Sequence, residues 1–240
     1  DFLQCSATII NERWVMTAFK CVRDGIDPTD HESRETFKPK HMFLRYGNNQ
    51  ISEAKQIGVM YVAANDSFPE IALLKLKRNI TDFNNATYWN TSGFLISAPL
   101  PGIATSLPSN GDVLSVSGYG SNHYDGFGLP KLLQHFNATY SSNYTCGLTA
   151  DEISQQDYLC FGVPKPNVQS ACAADYGAPL LDQSGLAHAI YIESEGDVDG
   201  KAHCKGHGVY YRLDLARDWI MNATGNFTEA PVSGASGLIL

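Results

Sequence analysis

The sequence predicts an all-β protein, and three observations carry that reading. Its apolar residues fall in short runs, the runs are rich in Val, Ile and aromatics, and clusters of Gly, Pro, Asn, Asp and Ser separate them. Spacing of this kind belongs to a sandwich or barrel rather than to βαβ units.

Taken in order, strands are expected at Ala7–Ile10, Trp14–Ala18, Met42–Tyr46, Ile57–Val62, Ile71–Leu76, Val113–Ser117 and Ala187–Ile192. Helix is expected at two places. One is Leu148–Gln155, where Thr149 precedes an acidic first turn. The other is Leu213–Asn222, where Asp214 can cap a segment that lines Leu215, Ala216, Trp219 and Ile220 along one face. Residues 223–240 mix Gly, Ser, Ala and Pro and are expected to form a loose tail. The Gly-Leu-Ile-Leu end also has the lesser reading of a lipid-anchor stump.

The chain has 240 residues, 43% of them hydrophobic and 18% charged, which is enough apolar material for a core. The formal net charge of −8 argues against nucleic acid, heparin-like polyanions or anionic membranes as the main partner, because those need clustered Lys and Arg. No run approaches the roughly 18 apolar residues of a membrane span. No signal peptide is visible, so the chain reads as a mature or trimmed form. No cofactor is expected.

Two features point to an extracellular, secreted protein. Six cysteines, an even number, suggest disulfides in an oxidising compartment. Asn-x-Ser/Thr acceptors stand at Asn65, Asn79, Asn85, Asn90, Asn137, Asn143, Asn222 and Asn226, so N-linked glycans are expected on exposed loops and turns. His203 and His207 flank Cys204 at a ligand-like spacing, but no second cluster accompanies them and no metal site is expected.

Three segments then carry a resemblance. Cys5-Ser-Ala-Thr-Ile-Ile-Asn-Glu-Arg-Trp-Val-Met-Thr-Ala-Phe-Lys-Cys21 is similar to a strand–turn–strand ending in Thr-Ala-Ala-His-Cys. Pro69-Glu-Ile-Ala-Leu-Leu-Lys-Leu76 is similar to Asn-Asp-Ile-Ala-Leu-Leu-Lys-Leu. Ser170-Ala-Cys-Ala-Ala-Asp-Tyr-Gly-Ala-Pro-Leu180 is similar to Asp-Ser-Cys-Gln-Gly-Asp-Ser-Gly-Gly-Pro-Leu. With Val116–Gly120, Tyr158–Gly162 and Gly208–Leu213 in support, the chain resembles the trypsin and chymotrypsin family of serine proteases.

That resemblance implies a double six-stranded antiparallel β-barrel with a C-terminal α-helix. The barrels would cover roughly 1–105 and 106–210 within a domain of 1–222, followed by the tail at 223–240. It also implies the pairings Cys5–Cys21, Cys146–Cys160 and Cys172–Cys204, each closing a loop for which a disulfide contributes about 3 kcal/mol.

The same alignment implies an inactive protease. The family needs a hydroxyl nucleophile, a neutral imidazole and an orienting carboxylate. Lys20 stands at the imidazole position, and a lysine amine titrates near about 10.4, so it is a cation at neutral pH. Glu70 stands at the carboxylate position and is expected to pair with Lys20. Tyr176 stands at the nucleophile position, and its ring would fill space meant for substrate. The oxyanion-hole glycine is replaced by Ala174, whose β-carbon restricts the peptide geometry needed there. Ser170 replaces the aspartate at the base of the trypsin specificity pocket, and the substrate-pairing edge aligns loosely with Ile192-Glu193-Ser194. The family's Ile-Val-Gly-Gly start, whose ammonium pairs with the aspartate at Asp175, is not seen ahead of Cys5. Either that segment lies outside the sequence or Asp175 has a different partner.

The resemblance therefore implies a secreted binding protein, a decoy, cofactor or inhibitor of an extracellular protein such as a protease-cascade, complement or defence component of a host. A carbohydrate- or glycan-mediated surface binder is the alternative, and an enzyme of non-standard mechanism the third. The loops at 22–40 and 193–201 are the expected contact surfaces.

Overall fold

The computed structural model describes residues 5–23, 38–48, 50–80, 103–121, 130–143, 146, 157–162, 170–194 and 206–225. Among the described residues, eleven strands form two curled antiparallel sheets. The first holds β1 (Thr8–Ile9), β2 (Trp14–Ala18), β3 (Phe43–Tyr46), β4 (Lys55–Ala64) and β5 (Ile71–Leu76), in the order β1-β2-β5-β4-β3. The second holds β6 (Val113–Gly118), β7 (Gln134–Thr139), β8 (Tyr158–Gly162), β9 (Pro179–Leu181), β10 (Ala187–Ser194) and β11 (His207–Arg212), in the order β7-β6-β9-β10-β11-β8.

β2 and β5 read as unbroken apolar runs because both of their faces are covered. Val15, Ala72, Leu74 and Leu76 point into the first sheet's own core, with Ile57, Val59 and Phe19. The alternate residues Trp14, Met16, Ala18, Ile71 and Leu73 point the other way, into a core shared with Ile190, Ile192, Val209 and Tyr211 of the second sheet. The two sheets are thus welded by the period-2 alternation of two central strands. A third cluster, with Leu114, Phe136, Phe161, Leu180, Tyr191 and Tyr210, fills the second sheet.

The single described α-helix, α1, spans Arg217–Thr224. It begins later than the expected Leu213 and runs past Asn222. Asp214 does not cap it: its carboxylate accepts bonds from Arg212 at 3.0 and 2.5 Å, while Ala216 occupies the N-cap without a side-chain bond. A bidentate, charge-assisted pair outcompetes a single cap. Ile220 buries the inner face of α1, and Trp219 stacks on Phe68, in the turn between β4 and β5, at 5.7 Å.

Cys5–Cys21 and Cys146–Cys160 are bonded as the resemblance implies. Cys172 is disulfide-bonded too, while its expected partner, Cys204, lies outside the described residues, as does His203. The helix expected at 148–155 and the acceptors Asn85, Asn90 and Asn226 also lie outside, with nearly all of the 22–40 and 193–201 loops and of the tail.

Replacing Trp219 by alanine removes the Phe68 stack and half-buried area beneath α1. It is expected to lower stability by about 2 kcal/mol, roughly 4–8 °C in Tm, in thermal unfolding followed by circular dichroism.

Candidate functional site

The residues assigned to a triad by resemblance come from three elements. Lys20 sits on the 3-10 turn Phe19–Cys21 after β2, Glu70 immediately precedes β5, and Tyr176 lies in the loop before β9. The pairing Ala18↔Ile71 aligns the strand ends, and the Phe19 N–H donates to the Glu70 carbonyl at 2.8 Å.

The side chains meet differently from the expectation. Lys20 does not form the expected ion pair with Glu70. Its ammonium lies over the Tyr176 ring, 4.3 Å from the centroid. Nearby, the Tyr211 hydroxyl is pushed up to about 12 mainly by burial, with the Asp157 and then the Glu70 carboxylate adding to it. A cation over an aromatic face is worth about 0.5–1 kcal/mol at an exposed position, comparable with an exposed ion pair. The ring of Tyr176 is held in place by the other neighbours described next, so the lysine finds it preformed.

Tyr176 is half-buried and lies nearly parallel to Tyr191, 5.5 Å between centroids and 3° between planes. Tyr191 is fully buried and packs at 5.3 Å against Tyr210, also fully buried. Absence of a side chain at Gly208 makes room for both, since a Cβ there would lie 2.7 Å from Tyr191 Cε2. The Tyr191 hydroxyl shares a short hydrogen bond with Ser194 and donates to the Ala171 carbonyl at 3.4 Å. Ala171 follows Ser170, so the aromatic stack runs from the nucleophile position to the position beside the pocket base. Burial raises the Tyr191 and Tyr210 hydroxyls well above their ordinary range, so both remain neutral phenols.

The 174–177 loop is gripped from the first sheet. The Ser6 N–H donates to the Tyr176 carbonyl at 3.0 Å, the Ser6 hydroxyl to the Ala174 carbonyl at 3.1 Å, and the Thr8 hydroxyl to the Gly177 carbonyl at 3.0 Å. Ala174 adopts φ +70°, the left-handed conformation that costs a non-glycine residue about 1–2 kcal/mol. Its β-carbon makes that conformation a restricted one for this residue. The loop contacts hold it there at a cost in strain.

Asp175 is buried, and its carboxylate accepts the Gly120 N–H at 2.7 Å and the Cys172 N–H at 3.0 Å. A Cβ on Gly118 or Gly120 would overlap that carboxylate, so the Gly-Tyr-Gly segment forms its cradle. Among the described residues no cationic side chain pairs with it. Burial pushes its carboxyl up to about 6, against the two N–H bonds that pull it down. Sequence reasoning missed Tyr191, which it took as one more residue of an apolar run. The signal was there: a tyrosine in a strand buried on both faces needs a partner for its hydroxyl.

No group of three or more His, Cys, Asp and Glu that could hold a metal is found among the described residues. His188 is buried between the Ser106 carbonyl and the Asp182 carboxylate, each 3.2 Å from a ring nitrogen. It ties the segment after Ala104 to β10 rather than facing Tyr176.

A sequence model of the trypsin family matches residues 2–220. Among curated proteins, transmembrane protease serine 11C of Mus musculus is 29% identical, the alignment covering 92% of this chain and 48% of that protein. Mannan-binding lectin serine protease 1 of Homo sapiens is 24% identical over 92% of this chain and 32% of its own length. The chain thus spans under half of either protein. Trypsin-1 of Astacus astacus is 29% identical over 92% of this chain and 87% of its length. Among solved structures, neuropsin of mouse brain superposes with a TM-score of 0.64 at 20% identity, covering 92% of this chain and 89% of that one. Human heparin binding protein does so at 0.64 and 22%, covering 95% and 89%. Both share the fold.

The elevated Asp175 carboxyl gives a pH dependence of known sign. Its folded pKa, about 6, exceeds the unfolded value of 3.8, so the folded state holds this proton more tightly. The contribution to stability is full below about pH 4 and is lost as pH rises through 6. Urea unfolding between pH 4 and 7 is expected to show that decline, and Asp175→Asn, neutral throughout, to flatten it.

Proposed function

This chain belongs to the trypsin family, and from that premise we propose that it is a secreted pseudoprotease that acts by binding an extracellular protein. The observation that carries this reading is the Lys20–Tyr176–Tyr191 stack. A cation occupies the position assigned to the base, and it caps the ring that occupies the position assigned to the nucleophile. A phenol needs a proton acceptor to attack a carbonyl, and an ammonium is none. Behind it the buried ring of Tyr191 lies parallel to Tyr176, 5.5 Å between centroids, and backs the phenol with a second aromatic face.

The surroundings support a secreted glycoprotein. Every described cysteine is in a disulfide, the usual state outside the cytosol. Asn79, Asn137, Asn143 and Asn222 are exposed, so glycans there would meet solvent. No helix among the described residues is long and apolar enough to cross a membrane. A rigid pair of sheets carrying long loops is a serviceable binding scaffold without chemistry.

The test uses the glycosylated protein, a fluorophosphonate probe and a peptide library, followed by capture of extracellular proteins on the immobilised chain. The expected outcome is no labelling, no cleavage above buffer, and retention of a defined protein. Cleavage that Tyr176→Phe abolishes would refute the binding role, because it would make the phenol a working nucleophile. If a protein is retained, loss of retention in Tyr176→Ala locates its site at the closed cleft; unchanged retention locates it on the loops.

A further inference from the structure

The turn between β9 and β10 is built around one carboxylate. Asp182 Oδ1 accepts the Ser184 N–H at 2.8 Å, the Ser184 hydroxyl at 2.6 Å and the Leu186 N–H at 2.9 Å. The backbone closes the same turn, with the Asp182 N–H donating to the Leu186 carbonyl and the Gly185 N–H to the Asp182 carbonyl. Oδ2 is left for His188, the second residue of β10. Burial works against the charge on Asp182, but the hydrogen bonds from Ser184, His188 and Leu186 hold its carboxyl below the usual range. Asp182 is therefore an anion, which accepts and does not donate.

His188 has an acceptor at each ring nitrogen. Nε2 lies 3.2 Å from Asp182 Oδ2, and Nδ1 lies 3.2 Å from the Ser106 carbonyl oxygen. A carboxylate and a carbonyl can give no proton, so each nitrogen needs one of its own, and a neutral imidazole carries one between two. The residue is 8% exposed, which leaves little water to replace a missing bond. Among the described residues, the neighbouring elements bring no second charge to the ring. Residues 103–111 and β9 hold no charged side chain, and Asp112 accepts the Ser109 N–H. At the end of β11 the Leu213 N–H donates to the His188 carbonyl, while Arg212 and Asp214 on either side of Leu213 are paired with each other.

Ser106 belongs to the segment that enters the second sheet beside β10. Ile103 pairs with Ala187, and the Ala104 N–H donates to the Ala187 carbonyl at 3.0 Å. Three residues beyond His188, the same strand holds the site loop: the Gly177 N–H donates to the Tyr191 carbonyl, and the Tyr191 N–H to that of Ala178. We infer that His188 is a proton-operated clasp: with both ring nitrogens protonated it fastens the 103–106 segment to β10, and loss of the Nδ1 proton releases that segment. The proton leaves from Nδ1 because the Nε2–H faces the full charge of Asp182 and the Nδ1–H a neutral carbonyl. The Nδ1 lone pair then opposes the carbonyl oxygen, and attraction becomes repulsion. Ser106 is exposed, so its freed carbonyl can turn to water. The clasp is closed in acid and opens as pH rises. None of this depends on whether the cleft cleaves.

The test follows two signals in the labelled, glycosylated protein between about pH 5 and 9. One is the proton–nitrogen NMR correlations of the His188 ring, assigned with His188→Gln. The other is amide hydrogen exchange at Ala104, corrected for its intrinsic pH dependence. Both nitrogens are expected to be protonated at the acid end. As pH rises, Nδ1 alone should become a lone-pair nitrogen, and Ala104 protection should fall about tenfold over the same step, the equivalent of one charge-assisted hydrogen bond. Asp182→Asn separates a switch from a mere tie. Ser184 and Leu186 hold the amide oxygen at the Oδ1 position, so its NH2 donates to Nε2 and the neutral ring keeps its proton on Nδ1. Protection at Ala104 should then no longer fall across this step, whereas Asp175→Asn should leave the fall in place. The inference is overturned if Nε2 is the nitrogen that loses its proton, if Ala104 protection is flat while His188 titrates, or if Asp182→Asn keeps the fall. Should Asp182→Asn fail to fold, the two signals in the unaltered protein still decide.

Discussion

The 174–177 loop belongs to the second sheet by sequence and is fixed by the first. Ser6 and Thr8 donate to the carbonyls of Ala174, Tyr176 and Gly177, and from the other side the Gly177 N–H donates to the Tyr191 carbonyl at 2.7 Å. Asp175, between them, ties the loop to Gly120 and Cys172. The site's geometry follows from this double grip. It holds Ala174 left-handed against its preference and keeps the Tyr176 ring parallel to Tyr191, where Lys20 can cover it. A seam bonded on both sides can hold strain of that kind, because local relief would break several contacts at once.

The same framework separates two surfaces with different chemistry. At the junction of the sheets, the Lys20 ammonium lies over the Tyr176 ring, which stacks on Tyr191. On the outer side of the first sheet, Lys77, Arg78, Phe43 and Met60 are exposed, while the second half of the chain carries the acidic excess. A net charge alone describes neither surface.

Legibility in the sequence followed burial. Trp14–Ala18 and Ile71–Leu76 were readable to the residue because strands covered on both faces are continuous apolar runs. β7 was not, because only Phe136 in Gln134–Thr139 is buried and its neighbours are polar. The short β9 and the glycine-containing β11 were missed as strands, though both lie in segments that carry the resemblance. At the site, the identities of Lys20, Glu70 and Tyr176 were legible, but their partners were not. Choosing between Glu70 and an aromatic ring for Lys20 needs the position of Tyr191, which is set by Gly208, Ser194 and Tyr210 from elsewhere in the chain. The role of Gly118 and Gly120 was equally hidden, since it depends on where Asp175 comes to rest.

The claim on which the functional account turns is that Lys20 closes the cleft by lying on Tyr176. Ring currents report this directly: protons above an aromatic face resonate upfield of their solvent-exposed position. The measurement is the side-chain proton shift of Lys20 in the labelled protein, with Tyr176→Leu as reference. The account predicts upfield Lys20 ε-methylene protons that return to the ordinary position in Tyr176→Leu. Identical Lys20 shifts in the two proteins would place the ammonium in solvent and leave the cleft open, contradicting the account.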